Sequence, residues 1–100
     1  MRLSDESMRG RTVIASDGLE IGSISLLFIN SESWRVESLQ VRLHSDVADR
    51  LGANRSWLHA GEVEIPIRMV QSVGDAVVLS VAVDELRQVL PGASESAPAP

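Results

Sequence analysis

Two histidines, His44 and His59, and two nearby glutamates, Glu62 and Glu64, are the residues of this chain with the most direct chemical potential. Histidine can move a proton near neutral pH or ligate a metal. The two histidines stand 15 positions apart (59 minus 44), and a metal site would need further convergent ligands. They read as exposed histidines at a strand end and in a loop. Glu62 and Glu64 are two apart on a predicted strand and so share one face. A catalytic carboxylate pair needs opposed placement about a cleft, so these two read as a solvated strand face. The serines include no G-x-S-x-G elbow, and the chain has no cysteine. Gly18-x-x-x-Gly22 is not a phosphate-cradling loop, and the glycines are read as turn residues. The residues therefore predict no catalytic group, no cofactor and no metal: the chain does not read as an enzyme.

Binding is the second chemistry to weigh. Trp34 follows the polar turn NSES, and Trp57 lies in a loop with Arg55 and Leu58. Tryptophan and arginine are enriched where binding energy concentrates. The plainer alternative is that each tryptophan covers one end of a small barrel. Leu26 and Phe28 have the same two readings, depending on the phase of their strand. Together Leu26, Phe28, Trp34, Arg55, Trp57 and Leu58 form the candidate partner-binding set.

The elements that must position these residues are mostly strands. RTVIA (11–15) is a short β-branched run, and Asp17-Gly18 after it signals a hairpin. In EIGSISLLFIN (20–30) the alternation breaks: Ile24 belongs to one phase, Leu27 and Ile29 to the other. A β-bulge near Ser25-Leu26 reconciles them. Ile24, Leu27 and Ile29 then face inward, and Leu26 and Phe28 outward. RVESLQVRL (35–43) alternates as a half-buried strand. DVADRL (46–51) reads as a short helix capped by Ser45 or Asp46. EVEIPI (62–67) puts Val63, Ile65 and Ile67 on one face, with Pro66 among the glutamates on the other. A strand proline belongs at an edge or a bulge, so this strand ends or bends at Pro66. A short turn comes next, and Gln71–Val73 pairs across Gly74-Asp75 with Ala76–Val81. Sheets that turn such corners tend to close into small barrels. Asp84 is read as the cap of a last helix, whose apolar face is Leu86, Val89 and Leu90.

The chain has 100 residues, 44% of them hydrophobic, which suits one domain with one core. Residues 1–8 are polar and read as a flexible N-terminus; residues 9–90 are the domain. Residues 91–100, PGASESAPAP, read as a disordered tail, since proline, alanine and serine bury too little surface to order it. The net charge is −5, and all nine basic residues are arginine. Such a balance argues against direct nucleic-acid binding. No apolar run approaches membrane-spanning length, and no signal segment opens the chain. The expectation is a cytoplasmic protein with no direct membrane contact. The fold expected is all-β: a small barrel with a short internal helix and a C-terminal helix.

The runs GRTVIASDGLEIGSISLLFIN and VEIPIRMVQSVGDAVVL resemble the opening and close of a PRC-barrel domain. The opening pattern falls on Gly10, Val13, Asp17-Gly18, Ile21-Gly22, Ile24, Leu27 and Ile29. The closing pattern falls on Ile65-Pro66, Val70, Val73, Gly74-Asp75 and Val77 to Leu79. Leu26 departs from it, standing where the family commonly has an acidic residue. The middle section, DVADRLGANRSWLHAG, is similar to small stand-alone archaeal PRC-barrel proteins. Some of these resemble dimeric adaptors of the division ring that work beside SepF, the membrane anchor of FtsZ. The resemblance implies a homodimeric, non-enzymatic adaptor or scaffold with protein partners of that kind. A second reading comes from the ribosome maturation factor, whose C-terminal half is a PRC barrel; it implies binding to a ribosomal protein. Against it stand the absence of a separate N-terminal domain and of a basic RNA-facing surface.

Overall fold

Runs rich in β-branched residues, each closed by a turn-forming residue, set the strands. The computed structural model of the chain describes residues 2–51 and 61–89, the side chains of Arg87 and Val89 excepted. In chain order the elements are α1 (Asp5–Met8), β1 (Thr12–Ile14), β2 (Glu20–Ile29), β3 (Val36–Leu43), α2 (Ser45–Leu51), β4 (Glu62–Pro66), a single 3-10 turn (Ile67–Met69), β5 (Val70–Val73), β6 (Val77–Leu79) and α3 (Val83–Val89). The six strands make one curled half-barrel sheet in the order β4-β3-β2-β1-β6-β5. All neighbours are antiparallel except β1 and β6, which run parallel. The expected all-β barrel-like fold with short helices is the fold observed.

The inner face is built in rows across the sheet. Ile24, Val41 and Val63 stand side by side on β2, β3 and β4, and the next row is Leu27, Leu39 and Ile65. Val13, Val77, Leu79 and Leu86 complete the centre, all fully buried. Each such aliphatic side chain contributes about 1.5–3 kcal/mol relative to exposure. Helices α2 and α3 leave the sheet at the same end, and α2 gives Val47, Ala48 and Leu51 to the core. Arg50 and Asp84 join the two helices at 2.8 Å. At the opposite end an apolar hollow of ≈ 270 Å³ is lined by Met8, Leu27, Ile29, Val36, Ile67 and Val73, among others.

Four local expectations are corrected or sharpened. The polar start is not wholly loose: Ser4 and Ser7 cap each other reciprocally at 3.0 Å, and Met8 at the end of that turn is buried. Ser45 and Asp46 lie inside the first turn of α2 rather than ahead of it, because the first helical bond runs from the Ala48 amide to the His44 carbonyl. Asp84 does not cap α3. The helix begins one residue earlier, at buried Val83, and the Glu85 carboxylate instead accepts the Ala82 amide at 2.7 Å. Leu86 of the predicted apolar face is buried; the side chain of Val89, Leu90 and the tail 91–100 lie outside the described residues.

Two glycines serve different geometric needs. Gly18 has φ +89° in the β1–β2 turn, with its amide on the Ala15 carbonyl at 2.9 Å, as the Asp-Gly signal requires. Gly22 is not a turn residue. It lies between Val13 and Leu43 in adjacent strands, and a Cβ there would stand 2.1 Å from the Arg42 carbonyl oxygen. Backbone on a neighbouring strand cannot swing aside as a side chain would. Gly22→Ala is therefore expected to destabilise the domain by at least about 2 kcal/mol. Thermal unfolding should show this as a midpoint lowered by roughly 8–16 °C.

Candidate interaction surface

The outer face of β2, β3 and β4 carries the candidate surface, and a β-bulge makes it. Ile24 pairs with Val41 but Leu26 pairs with Gln40, so Ser25 is the extra residue. Its hydroxyl donates to the Gln40 carbonyl at 3.2 Å, occupying the gap that the bulge opens. The extra residue shifts the phase of the rest of β2. Leu26 and Phe28 consequently point outward, 40% and 37% exposed. Ile29 departs from expectation. It lines the same hollow as Leu27 but is 49% exposed, because nothing among the described residues closes that end over it.

Three rows cross the outer face. Ser23, Arg42 and Glu62 form the first; Leu26, Gln40 and Glu64 the second; Phe28, Ser38 and Pro66 the third. Ser38 and Gln40 are buried although they point outward. Their polarity is met sideways by β4: the Ser38 hydroxyl donates to the Glu64 carboxylate, and the Gln40 amide donates to the Glu62 carboxylate. Arg42 also reaches Glu62 at 3.2 Å. The surface is thus an apolar pair beside a satisfied polar strip, with carboxylates along the sheet edge. Sequence reasoning places the glutamates on a solvated face but misses that they hold Ser38 and Gln40. The alternation of polar side chains on both strands carries that signal.

Trp34 sits at the tip of the β2–β3 hairpin. Asn30 organises this turn: its side-chain oxygen accepts the amides of Glu32 and Ser33 at 2.8 and 2.9 Å, and its carbonyl accepts the Trp34 amide at 2.8 Å. Trp34 takes φ +62° and is 80% exposed. It does not cover a barrel end. A bulky residue in the left-handed region costs about 1–2 kcal/mol that glycine avoids. Trp34 returns nothing to the core for that cost.

The remaining candidates divide plainly. Arg55, Trp57 and Leu58, with His59, lie outside the described residues. His44 lies just past the end of β3 and meets Glu20 at 3.1 Å, both side chains being about half exposed. Among the described residues no group of three or more histidine or acidic side chains is placed to hold a metal ion, and no helix is long and apolar enough to cross a membrane. The sequence matches no protein-family model, and no curated protein matches it as a relative.

The strain at Trp34 gives a direct test. Trp34→Gly should leave the sheet intact and raise stability by up to about 1 kcal/mol, since relief of the left-handed backbone exceeds the entropy that glycine adds to the unfolded chain. A urea titration checks this. A loss of stability instead would show that the indole packs on the domain.

Proposed function

We propose that this chain is a non-enzymatic protein-interaction module that works as a homodimeric adaptor or scaffold in the cytoplasm. The observation that carries the reading is the outward pair Leu26 and Phe28. Two large apolar side chains stand adjacent in phase on one strand, 40% and 37% exposed, with strained, exposed Trp34 on the same hairpin. Exposed apolar patches rimmed by polar groups mark protein interaction sites. Here the rim is the Ser38, Gln40, Glu62 and Glu64 strip. The resemblance to small archaeal PRC-barrel proteins supplies the setting: assembly of the division ring, with partners of the SepF and FtsZ type. In that setting a rigid sheet presents apolar anchors, and self-association adds avidity along a polymer.

The test has two parts. Capture on the full chain from native lysate, with and without ribonuclease, should recover division proteins in both cases. Recovery of ribosomal proteins instead would move the assignment to ribosome assembly. Leu26→Asp should leave the circular dichroism spectrum unchanged while weakening partner or self-association at least about tenfold, the loss typical of a central anchor. Sedimentation and quantitative capture read that loss. Unfolding of the variant would place Leu26 in the core and remove the reading.

A further inference from the structure

The edge of β4 that faces away from β3 has a defined hydrogen-bonding phase. The Leu43 amide donates to the Gly61 carbonyl at 2.7 Å, just beyond the end of the strand. In the observed register this makes Leu43–Gly61, Val41–Val63 and Leu39–Ile65 the hydrogen-bonded pairs. The N–H and C=O groups of Glu62 and Glu64 then point away from β3. Pro66 has the same phase, so its missing N–H costs the ladder nothing and simply ends the open edge. Among the described residues no strand pairs with β4 on that side.

We propose that this edge accepts a short extended segment of a partner protein that alternates basic and apolar residues. The inference rests on the interaction-module reading and specifies what its partner must carry. Charge selects the occupant. Glu62 is held by Gln40 and Arg42, whereas Glu64, among the described residues, accepts only from the neutral hydroxyl of Ser38 and keeps its charge uncompensated. A residue of an added strand opposite Glu64 lies beside it on the outer face, where lysine or arginine completes an ion pair. Residues between the basic ones fall on the inner face beside Val63 and Ile65, and these must be apolar. Pro66 limits the pairing to the two glutamate positions, so about five partner residues suffice. A second copy of this chain is the wrong occupant. Edge-facing residues pair with edge-facing residues in an antiparallel ladder, so β4–β4 pairing centred on the two glutamate positions sets carboxylate against carboxylate. The glutamates thereby reject self-pairing at the edge while favouring a basic strand.

The test uses the isotope-labelled full chain and two peptides, acetyl-TVKVKVT-amide and acetyl-TVEVEVT-amide. The lysine peptide should shift the Glu62 and Glu64 amide resonances and slow their hydrogen exchange at least about tenfold. At low ionic strength it should bind about fivefold more tightly than the glutamate peptide, with the difference shrinking as salt is added. Glu64→Gln keeps an acceptor for the Ser38 hydroxyl but removes the charge, and it should erase most of that preference. Equal binding of the two peptides overturns the proposal. So do shifts confined to other strands, or Glu62 and Glu64 amides already as protected as Val63 and Ile65 in the free chain. If Glu64→Gln unfolds, the comparison of peptides on the unsubstituted chain still decides. Partner capture that is lost in Leu26→Asp, with no response at Glu62 and Glu64, removes this inference and leaves the adaptor reading standing.

Discussion

The extra residue in β2 is the constraint on which the rest of this structure turns. β2 is the longest strand and must pair with β1 on one side and β3 on the other. Ile24 belongs to the core, but the same phase carried onward would bury Leu26 and Phe28 and expose Leu27. Ser25 breaks the phase, and its hydroxyl satisfies the backbone that the break leaves open. Leu27 can then join the inner row with Leu39 and Ile65. The candidate surface and the core are two consequences of one register shift. Gly22, three residues upstream, is the second half of this device. With no Cβ it lets the β3 backbone approach closely where β2 passes from β1 to β3.

Polar groups on the outer face obey a different logic. Ser38 and Gln40 are buried between apolar β2 side chains and the β4 edge, and an unmet hydroxyl or amide there would cost about 1–3 kcal/mol. The two glutamates supply the acceptors, and no buried polar side-chain atom lacks a partner among the described residues. One consequence is that β4 cannot easily exchange its glutamates for apolar residues. An edge that carries acceptors is therefore required by the buried polar strip of the same face before any partner is considered. The backbone groups of β4 that point away from β3 and its proline end come from the same alternation, in which every second residue turns its backbone outward.

Much of the fold is legible in the sequence because alternation, Asp-Gly and Gly-Asp turns, and the proline each fix local geometry through short-range sterics. The six strands, the bulge position and both longer helices can be read within a residue or two. Asp84 misleads because an aspartate ahead of an apolar helical pattern has the local form of a cap. Burial of Val83, a tertiary fact, moves the helix start by one residue. Met8 escapes notice for the same kind of reason: one apolar residue after a polar run gives no period. Ile29 reads as inward from its phase alone, and phase says nothing about whether an end of the sheet is closed.

The amino-acid sequence by itself determined the alternation within most strands, the need for an extra residue near Ser25-Leu26, and a break in β4 at Pro66. These depend on Cβ direction and on backbone dihedrals, which neighbouring residues set. Only the tertiary structure decided that β1 runs parallel to β6 and that Glu62 and Glu64 serve Ser38 and Gln40. It alone showed that Gly22 is needed for close approach rather than for a turn, and that Trp34 holds a strained backbone in the open. The first three depend on distances between residues far apart along the chain, which strand order and register fix and local pattern does not; the exposure of Trp34 depends on where the hairpin tip lies relative to the core.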